Sequence, residues 1–238
     1  MRIIFVRHGH PDYRKDCLTE LGHLHAAAAS ERLAKEGIEH IYSSTHGRAY
    51  ETAEYTAQKL GITDIVKCEF MREVSWQSID GSEIPFGGHP WLTANHIVTT
   101  GESLMDPQWM NSELYCRNIL ADLVLAKEQG IDALLEDFGY QREGLYYRVQ
   151  DHTDKTIAIF SHGGSSAAVI GHLLNIPFPF MCEAMAPDYT AVTIISLRGE
   201  NGALITPKVE LFNDAKHIEG ISLDSQPTPK TTEKVFSL

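Results

Sequence analysis

Short apolar runs along the chain alternate with longer stretches whose apolar positions recur every three to four residues, and glycine or proline marks most of the joints. Ile3, Ile4, Phe5 and Val6 are consecutive apolar residues, as expected of a strand covered on both faces. A polar loop follows, then Thr19 as a candidate N-cap for a helix that runs through Ala26 and Ala29 toward Lys35 and stops at Gly37. Strand, helix and strand repeat over 38–43, 48–60 and 65–70. Between Val74 and Tyr115 the pattern is broken by Gly81, Pro85, Gly87, Gly88, Pro90 and Pro107. A helix is expected over 111–138, divided if Gly130 interrupts it, and a hairpin over 140–149 turning at Arg142, Glu143 and Gly144. The strand pattern resumes at 156–160, an Ala-rich helix runs to Leu174, and strands at 190–197 and 203–212 flank a turn between Gly199 and Gly202.

This alternation predicts an α/β fold: a three-layer sandwich with a mostly parallel central sheet, right-handed crossovers, helices on both faces and an inserted, largely α cap. The expected division is a core made of 1–73 and 151–221, a cap insertion at 74–150, and a polar, Pro-containing tail at 222–238 that should be mobile.

The strand ends carry the chemistry. Arg7, His8 and Gly9 follow the first strand, where open α/β sheets place their ligand crevice. An imidazole can accept a phosphoryl group as a nucleophile, and a guanidinium offers a fork of donors to its oxygens. Arg48 falls in the first turn of a helix that begins just after a strand. The helix dipole disfavours a cation there, so an anion bound together with the free N–H groups of the turn explains it better than an ordinary surface role. His162, after the 156–160 strand and before the next helix, repeats the arrangement.

Composition narrows the partners. The 238 residues are 43% hydrophobic and carry a formal charge of −12, which argues against a nucleic-acid or anionic-membrane binder. No stretch has the length of a membrane-spanning helix, and the apolar run at the start is too short for a signal peptide. Cys17, Cys68, Cys116 and Cys182 show neither C-x-x-C spacing nor disulfide-rich density, so a reducing cytoplasm is the expected setting.

Taken in order, Val6-Arg7-His8-Gly9, Leu18-Thr19-Glu20-Leu21-Gly22, Ser43-Ser44 with Arg48 and Thr52-Ala53, Met71-Arg72-Glu73, Gly101-Glu102-Ser103 and Ser161-His162-Gly163 resemble the histidine phosphatase superfamily, which includes the cofactor-dependent phosphoglycerate mutases. The resemblance implies a metal-independent phosphomonoester hydrolase that needs no cofactor and acts on a small phosphorylated molecule. In that reading His8 is the phosphoryl-accepting nucleophile, Arg7, Arg48 and His162 surround the phosphoryl oxygens, and Glu73 is the proton donor, with Glu69, Asp80 and Glu83 as nearby rivals. Gly9, Gly163, Trp76 and Trp91 are expected at the substrate.

The chain departs from the mutase pattern in two ways. The loop after the nucleophile reads His10-Pro11-Asp12-Tyr13-Arg14, without the mutases' asparagine, and no Lys or Arg occurs between Glu73 and Cys116. Mutase activity and multiply phosphorylated substrates are therefore not expected. The same stretch holds Trp76, Trp91, Trp109 and Phe86, which can form the cap's own small core or an aromatic wall for a bulky leaving group. Two alternatives remain at this level. His8-x-His10-x-Asp12 has the spacing of a binuclear metallohydrolase, and a non-catalytic phospho-ligand-binding protein could keep the same fold. His23 and His25, two apart on a helix, point to different faces and are expected at the surface.

Overall fold

The computed structural model describes residues 1–222. Apart from Ser222, the expected tail lies outside the described residues. In chain order the elements are β1 (Arg2–Arg7), β2 (Pro11–Asp12), β3 (Cys17–Leu18), α1 (Glu20–Leu33), β4 (His40–Ser44), α2 (Gly47–Leu60), β5 (Ile65–Cys68), α3 (Pro90–Thr100), α4 (Leu120–Asp137), β6 (Tyr140–Glu143), β7 (Tyr146–Val149), β8 (Thr156–Ser161), α5 (Gly163–Leu174), α6 (Phe178–Ala184), β9 (Val192–Ser196), β10 (Leu204–Ile205) and β11 (Lys208–Asp214). The fold is α/β, with a six-stranded sheet in the order β11-β9-β1-β8-β4-β5. The β1-β8-β4-β5 portion is parallel, and β9 and β11 add antiparallel at one edge.

Period-two alternation divides the core between the two faces of this sheet. Ile3, Phe5, Ile157, Ile159 and Ile195 join the apolar cluster that includes α4, α5 and α6 residues such as Val124, Val169 and Met181. Ile4, Val6, Ala158, Phe160 and Ile194 point the other way, onto Leu33 of α1 and Ala53 and Ala57 of α2. Both faces of β1 and β8 are thereby covered, which is why their sequences read as unbroken apolar runs. Because Arg7 is level with Ser161, and Ser43 with Phe160, the C-terminal ends of β1, β8 and β4 form one edge.

Several expected elements end elsewhere. The 65–70 strand stops at Cys68 and turns into a 3₁₀ segment, Glu69–Met71. The 111–138 helix begins at Leu120, preceded by a 3₁₀ turn, Trp109–Asn111. Just ahead of it the buried Asn118 donates to Gly88 O (2.8 Å) and accepts from Leu120 N (3.1 Å). Gly130 does not divide α4. It makes room for Phe70, whose Cγ would lie 2.3 Å from a Cβ at that position. The single strand expected over 203–212 is two. Pro207 supplies no N–H to a ladder at the break, so β10 pairs with β7 and β11 with β9. The expected hairpin, β6 with β7, is thus part of a three-stranded sheet, β10-β7-β6. Among the described residues no helix is long and apolar enough to cross a membrane.

Thr19 caps α1 by accepting from Gly22 N (3.1 Å). His23 is exposed, but the surface expectation fails for His25, which is 6% exposed. The stripe Gly22, Ala26, Ala29 and Leu33 faces inward, and His25 lies within its arc. Burial, and then the neighbouring His10 and His217, lower the His25 pKa to about 4. Unfolded, it would take up a proton near its ordinary value of about 6.5. The unfolded chain therefore binds the extra proton between these values, so stability is greatest above 6.5 and is lost as pH falls toward 4. Denaturant titrations at pH 7.5 and 5.0 should show that His25→Gln reduces this acid-side loss by about 2 kcal/mol; equal losses in both proteins would show that His25 does not contribute.

Candidate active site

Three strand ends deliver the predicted residues to one place. His8 follows β1 with its backbone N–H on Ser161 O (2.9 Å), and its side chain is only 1% exposed. Its Nδ1 lies 2.7 Å from Gly9 O. A carbonyl can only accept, so Nδ1 carries the proton and Nε2 keeps its lone pair. Burial, followed by the charge of Arg7, holds the His8 pKa well below the usual value, and the imidazole stays neutral. Arg48 Nε–H points at His8 Nε2 across 3.3 Å.

His162, which precedes α5, is fully buried with its ring centroid 5.1 Å from that of His8. Its Nε2 is 2.7 Å from Ser44 Oγ at the end of β4. Burial first, then its neighbours His8 and Arg48, keep it neutral, so it contributes a hydrogen bond rather than a positive charge. Arg7 donates from Nη1 to Pro187 O (2.7 Å), and its guanidinium lies 4.3 Å from the Tyr189 ring centroid. The Arg7 Nε is buried with no hydrogen-bond partner among the described residues. A buried, unpaired donor on a cation is costly unless a ligand meets it.

Arg48 occupies the first turn of α2, as expected, and the anion that accompanies it there comes from the chain itself. Asp16, at the tip of the β2–β3 hairpin, pairs with Arg48 Nη1 and accepts from Gly47 N (2.9 Å), with His46 Nδ1 at 3.1 Å. Burial works against the Asp16 anion, but the Gly47 N–H, His46 and Arg48 outweigh it and hold its pKa below the ordinary aspartate value. The loop reaches this position because two glycines allow close contact. A Cβ on Gly47 would lie 2.2 Å from Asp16 O, and one on Gly9 would lie 2.6 Å from Gly22 O. The Gly9 N–H is taken by Thr52 Oγ1 (3.0 Å), whose hydroxyl donates to Arg48 O (2.7 Å) and so links the nucleophile loop to α2.

Glu73 sits at the start of α5. Its carboxylate accepts from Ser165 N (2.9 Å), Gly164 N (3.3 Å) and Val74 N (2.9 Å), in the first turn of the helix that His162 precedes. The rivals are elsewhere: Glu69 is 74% exposed and paired with Arg72, Asp80 accepts from Ser78 and Ser82 in an exposed turn, and Glu83 is exposed. Trp91 reaches the same helix start, because a Cβ on Gly163 would lie 3.9 Å from Trp91 Cζ2 and 4.0 Å from Arg7 Cζ. Trp76 is Trp91's neighbour, with centroids 6.2 Å apart. Trp109 instead packs between Tyr115 and Phe178, and Phe86 lies against His96.

The His8-x-His10-x-Asp12 spacing does not gather its side chains. His10 Nδ1 is 2.9 Å from Thr19 Oγ1, and Asp12 accepts from Arg14 N and Lys15 N. Among the described residues no group of three or more His, Cys, Asp or Glu is arranged to hold a metal ion. Sequence reasoning missed Asp16, Tyr13 and Tyr189. The Tyr13 and Tyr189 rings lie 6.4 and 5.9 Å from that of His8. A carboxylate next to a first-turn arginine could have been sought for Asp16, but no local pattern marks the other two.

The sequence profile of the histidine phosphatase superfamily (branch 1) matches residues 3–94 and 141–209. The chain belongs to the histidine phosphatase superfamily. Among curated relatives, glucosyl-3-phosphoglycerate phosphatase of Mycobacterium tuberculosis is 28% identical over 193 residues, covering 74% of this chain and 76% of the relative. The putative phosphoserine phosphatase 2 of Hydrogenobacter thermophilus is 25% identical over 215 residues, 86% and 93% of the two chains. The fold matches that of the mycobacterial glucosyl-3-phosphoglycerate phosphatase solved with inorganic phosphate, with a TM-score of 0.62 at 22% identity over 91% of this chain and 98% of that one. An Entamoeba histolytica phosphoserine phosphatase in complex with 3-phosphoglyceric acid has a TM-score of 0.57 at 20% identity, with the same coverage. With this membership, and with phosphatases as relatives, this histidine phosphatase superfamily member is itself a phosphatase.

The electrostatics of this phosphatase site can be checked spectroscopically. Imidazole nitrogen spectra at pH 6 should show His8 neutral and in the Nδ1–H form, since its pKa lies well below the usual value. A charged His8 at that pH would contradict the arrangement.

Proposed function

We propose that the chain hydrolyses phosphomonoesters of small molecules through a phosphohistidine on His8, without a metal ion. The observation that carries this reading is the buried, neutral His8, which has its proton fixed on Nδ1 by Gly9 O and its Nε2 lone pair turned to the Arg48 guanidinium. A phosphoryl group in front of Nε2 would have Arg48, the unpaired Nε of Arg7 and the His162 imidazole around its oxygens. Donors fixed in advance in a dry site stabilise the charge that spreads over those oxygens during transfer.

In the first step His8 Nε2 bonds to phosphorus as the ester P–O bond breaks, and Glu73 protonates the departing oxygen. In the second, Glu73 takes a proton from water, the resulting hydroxide attacks phosphorus, and the Nε2–P bond breaks to release inorganic phosphate and restore neutral His8. Glu73's bonds to the backbone N–H groups of Gly164 and Ser165 hold its carboxylate at the start of α5, and its role as proton donor is taken from the family resemblance. Gly163 would let the backbone approach the substrate closely, whereas Gly9, expected at the substrate, instead packs against Gly22 O with its N–H on Thr52 and its carbonyl on His8. The tests are a rapid quench and a variant. Labelled substrate should leave acid-labile, base-stable phosphate on His8, and His8→Ala should fold normally yet lose on the order of 10⁵-fold in turnover. Label on another residue, or a tenth of the wild-type rate in the variant, would refute the mechanism.

The expected cap, 74–150, would be narrower, because Val124, Leu135, Tyr140 and Val149 join the apolar cluster under β1 and β8; residues 74–119 would cover the site, with Trp76 and Trp91 facing the leaving group while Trp109 belongs to the core. The relatives' names refer to glucosyl-3-phosphoglycerate and phosphoserine, but this chain has no Lys or Arg from Val74 to Tyr115 to pair with a second anion. An unpaired carboxylate taken from water into such a site costs several kcal/mol. Aromatic or neutral monoesters should therefore exceed 3-phosphoglycerate by at least ~10-fold in kcat/KM, and mutase activity should be absent. Kinetics on ester pairs that differ only in a distal carboxylate decide this, and a preference for the anionic member at pH 8 would defeat it. A site in the cytoplasm remains the proposed setting.

A further inference from the structure

The guanidinium of Arg48 is already in use. Its Nη1 is paired with Asp16, and its Nε–H points at the Nε2 lone pair that must attack phosphorus. Asp16 in turn receives a guanidinium N–H, the backbone N–H of Gly47 at the start of α2 and a contact from His46. A bound phosphoryl oxygen would draw on the same donors. The two partners differ in access: the Arg48 side chain is 8% exposed and Asp16 40%. The carboxylate thus reaches Arg48 from the solvent side.

The segment carrying Asp16 has a short ladder. β2 and β3 pair only through Pro11 with Leu18 and Asp12 with Cys17. The base of the hairpin is tied to α2 by Leu18 N–H on Glu51 (2.7 Å), whereas Tyr13 at the tip is 64% exposed with its ring 5.3 Å from the Arg48 guanidinium. The two strands lie outside the six-stranded sheet, so the hairpin can open without disturbing it once the Asp16 carboxylate and the packing of Asp16 O on Gly47 are released together.

We propose that Asp16 is a resident anion that occupies the phosphate position on Arg48, and that substrate must displace it, so the β2–β3 hairpin is a lid latched by its own carboxylate. This rests on the reading of the site as a phosphate site. Displacement frees two Arg48 donors together, one from Asp16 and one from His8 Nε2, so the nucleophile is uncovered only as phosphate arrives. The latched state lowers the apparent affinity for phosphate in proportion to its population. If Asp16 only oriented Arg48, removing its charge would change phosphate affinity through charge alone, and phosphate would leave amide exchange of the hairpin unchanged.

The decisive variant is Asp16→Asn. It keeps the side-chain shape, keeps an acceptor for Gly47 N–H, and suits the left-handed backbone at this position (φ 53°). Competitive inhibition by inorganic phosphate and calorimetric phosphate titration should both show binding at least ~10-fold tighter in Asp16→Asn than in the wild type, with a lower KM. Phosphate binding that is unchanged or weaker in the variant, with wild-type turnover normal, overturns the latch and leaves the phosphatase reading standing. A wild type that neither hydrolyses monoesters nor binds phosphate, with Arg48→Ala no different, overturns the site reading itself. Amide exchange of the wild-type chain gives a second test that needs no variant. Saturating phosphate should speed exchange over residues 13–17, and unchanged or slower exchange there would overturn the latch.

Discussion

An arginine whose side chain is 8% exposed, placed in the first turn of a helix, needs an anion close by, and the active-site end of this molecule is arranged around that need. The dipole of α2 opposes the cation, and desolvation adds to the cost. Asp16 meets both by pairing with Arg48 and accepting the Gly47 N–H, which also satisfies one of the donors left free at the helix start. Thr52, one turn further along α2, connects the backbone of Arg48 to the N–H of Gly9. The position of the nucleophile's loop and the position of the guanidinium are therefore not independent.

The same burial sets the protonation of the site. Low polarity around His8 and His162 disfavours their charged forms, and nearby arginines push in the same direction. The site thus separates the roles: guanidiniums, which cannot lose their charge, supply the positive field, and imidazoles stay neutral as nucleophile and hydrogen-bonding partner. An exposed pair of histidines would be partly protonated near pH 6.5 and would lose the lone pair that the chemistry requires.

Much of this was legible in the sequence, for a definite reason. Strands covered on both faces leave unbroken apolar runs, so β1 and β8 announce themselves, the strand–helix–strand alternation marks β4, and parallel connection sends all their C-terminal ends to one edge. That was enough to bring Arg7, His8, Arg48 and His162 together. The rest depended on contacts with no local signature. Asp16 meets Arg48 across 32 positions, and Arg7 meets Pro187 across 180. The β2–β3 hairpin is too short to show a period. His25 is different, because the stripe of α1 does place it inward, and the surface expectation weighed its polarity above its position.

The charge of −12 bears on how a dianion reaches this site. At physiological ionic strength fields decay over about 8 Å, so the acidic surface repels an approaching phosphate only nearby, and the few cations of the site act only once it is inside the mouth. Capture then depends on short-range donors rather than on long-range steering. In such a molecule an uncovered Arg7–Arg48 pair would be the most attractive point on an acidic surface for any small anion. A carboxylate from the same chain, attached at high effective concentration, keeps weak anions out while yielding to a ligand that engages Arg48, Arg7 and His162 together. The feature that stabilises the buried arginine at rest can therefore also set the threshold a phosphoryl group must pass.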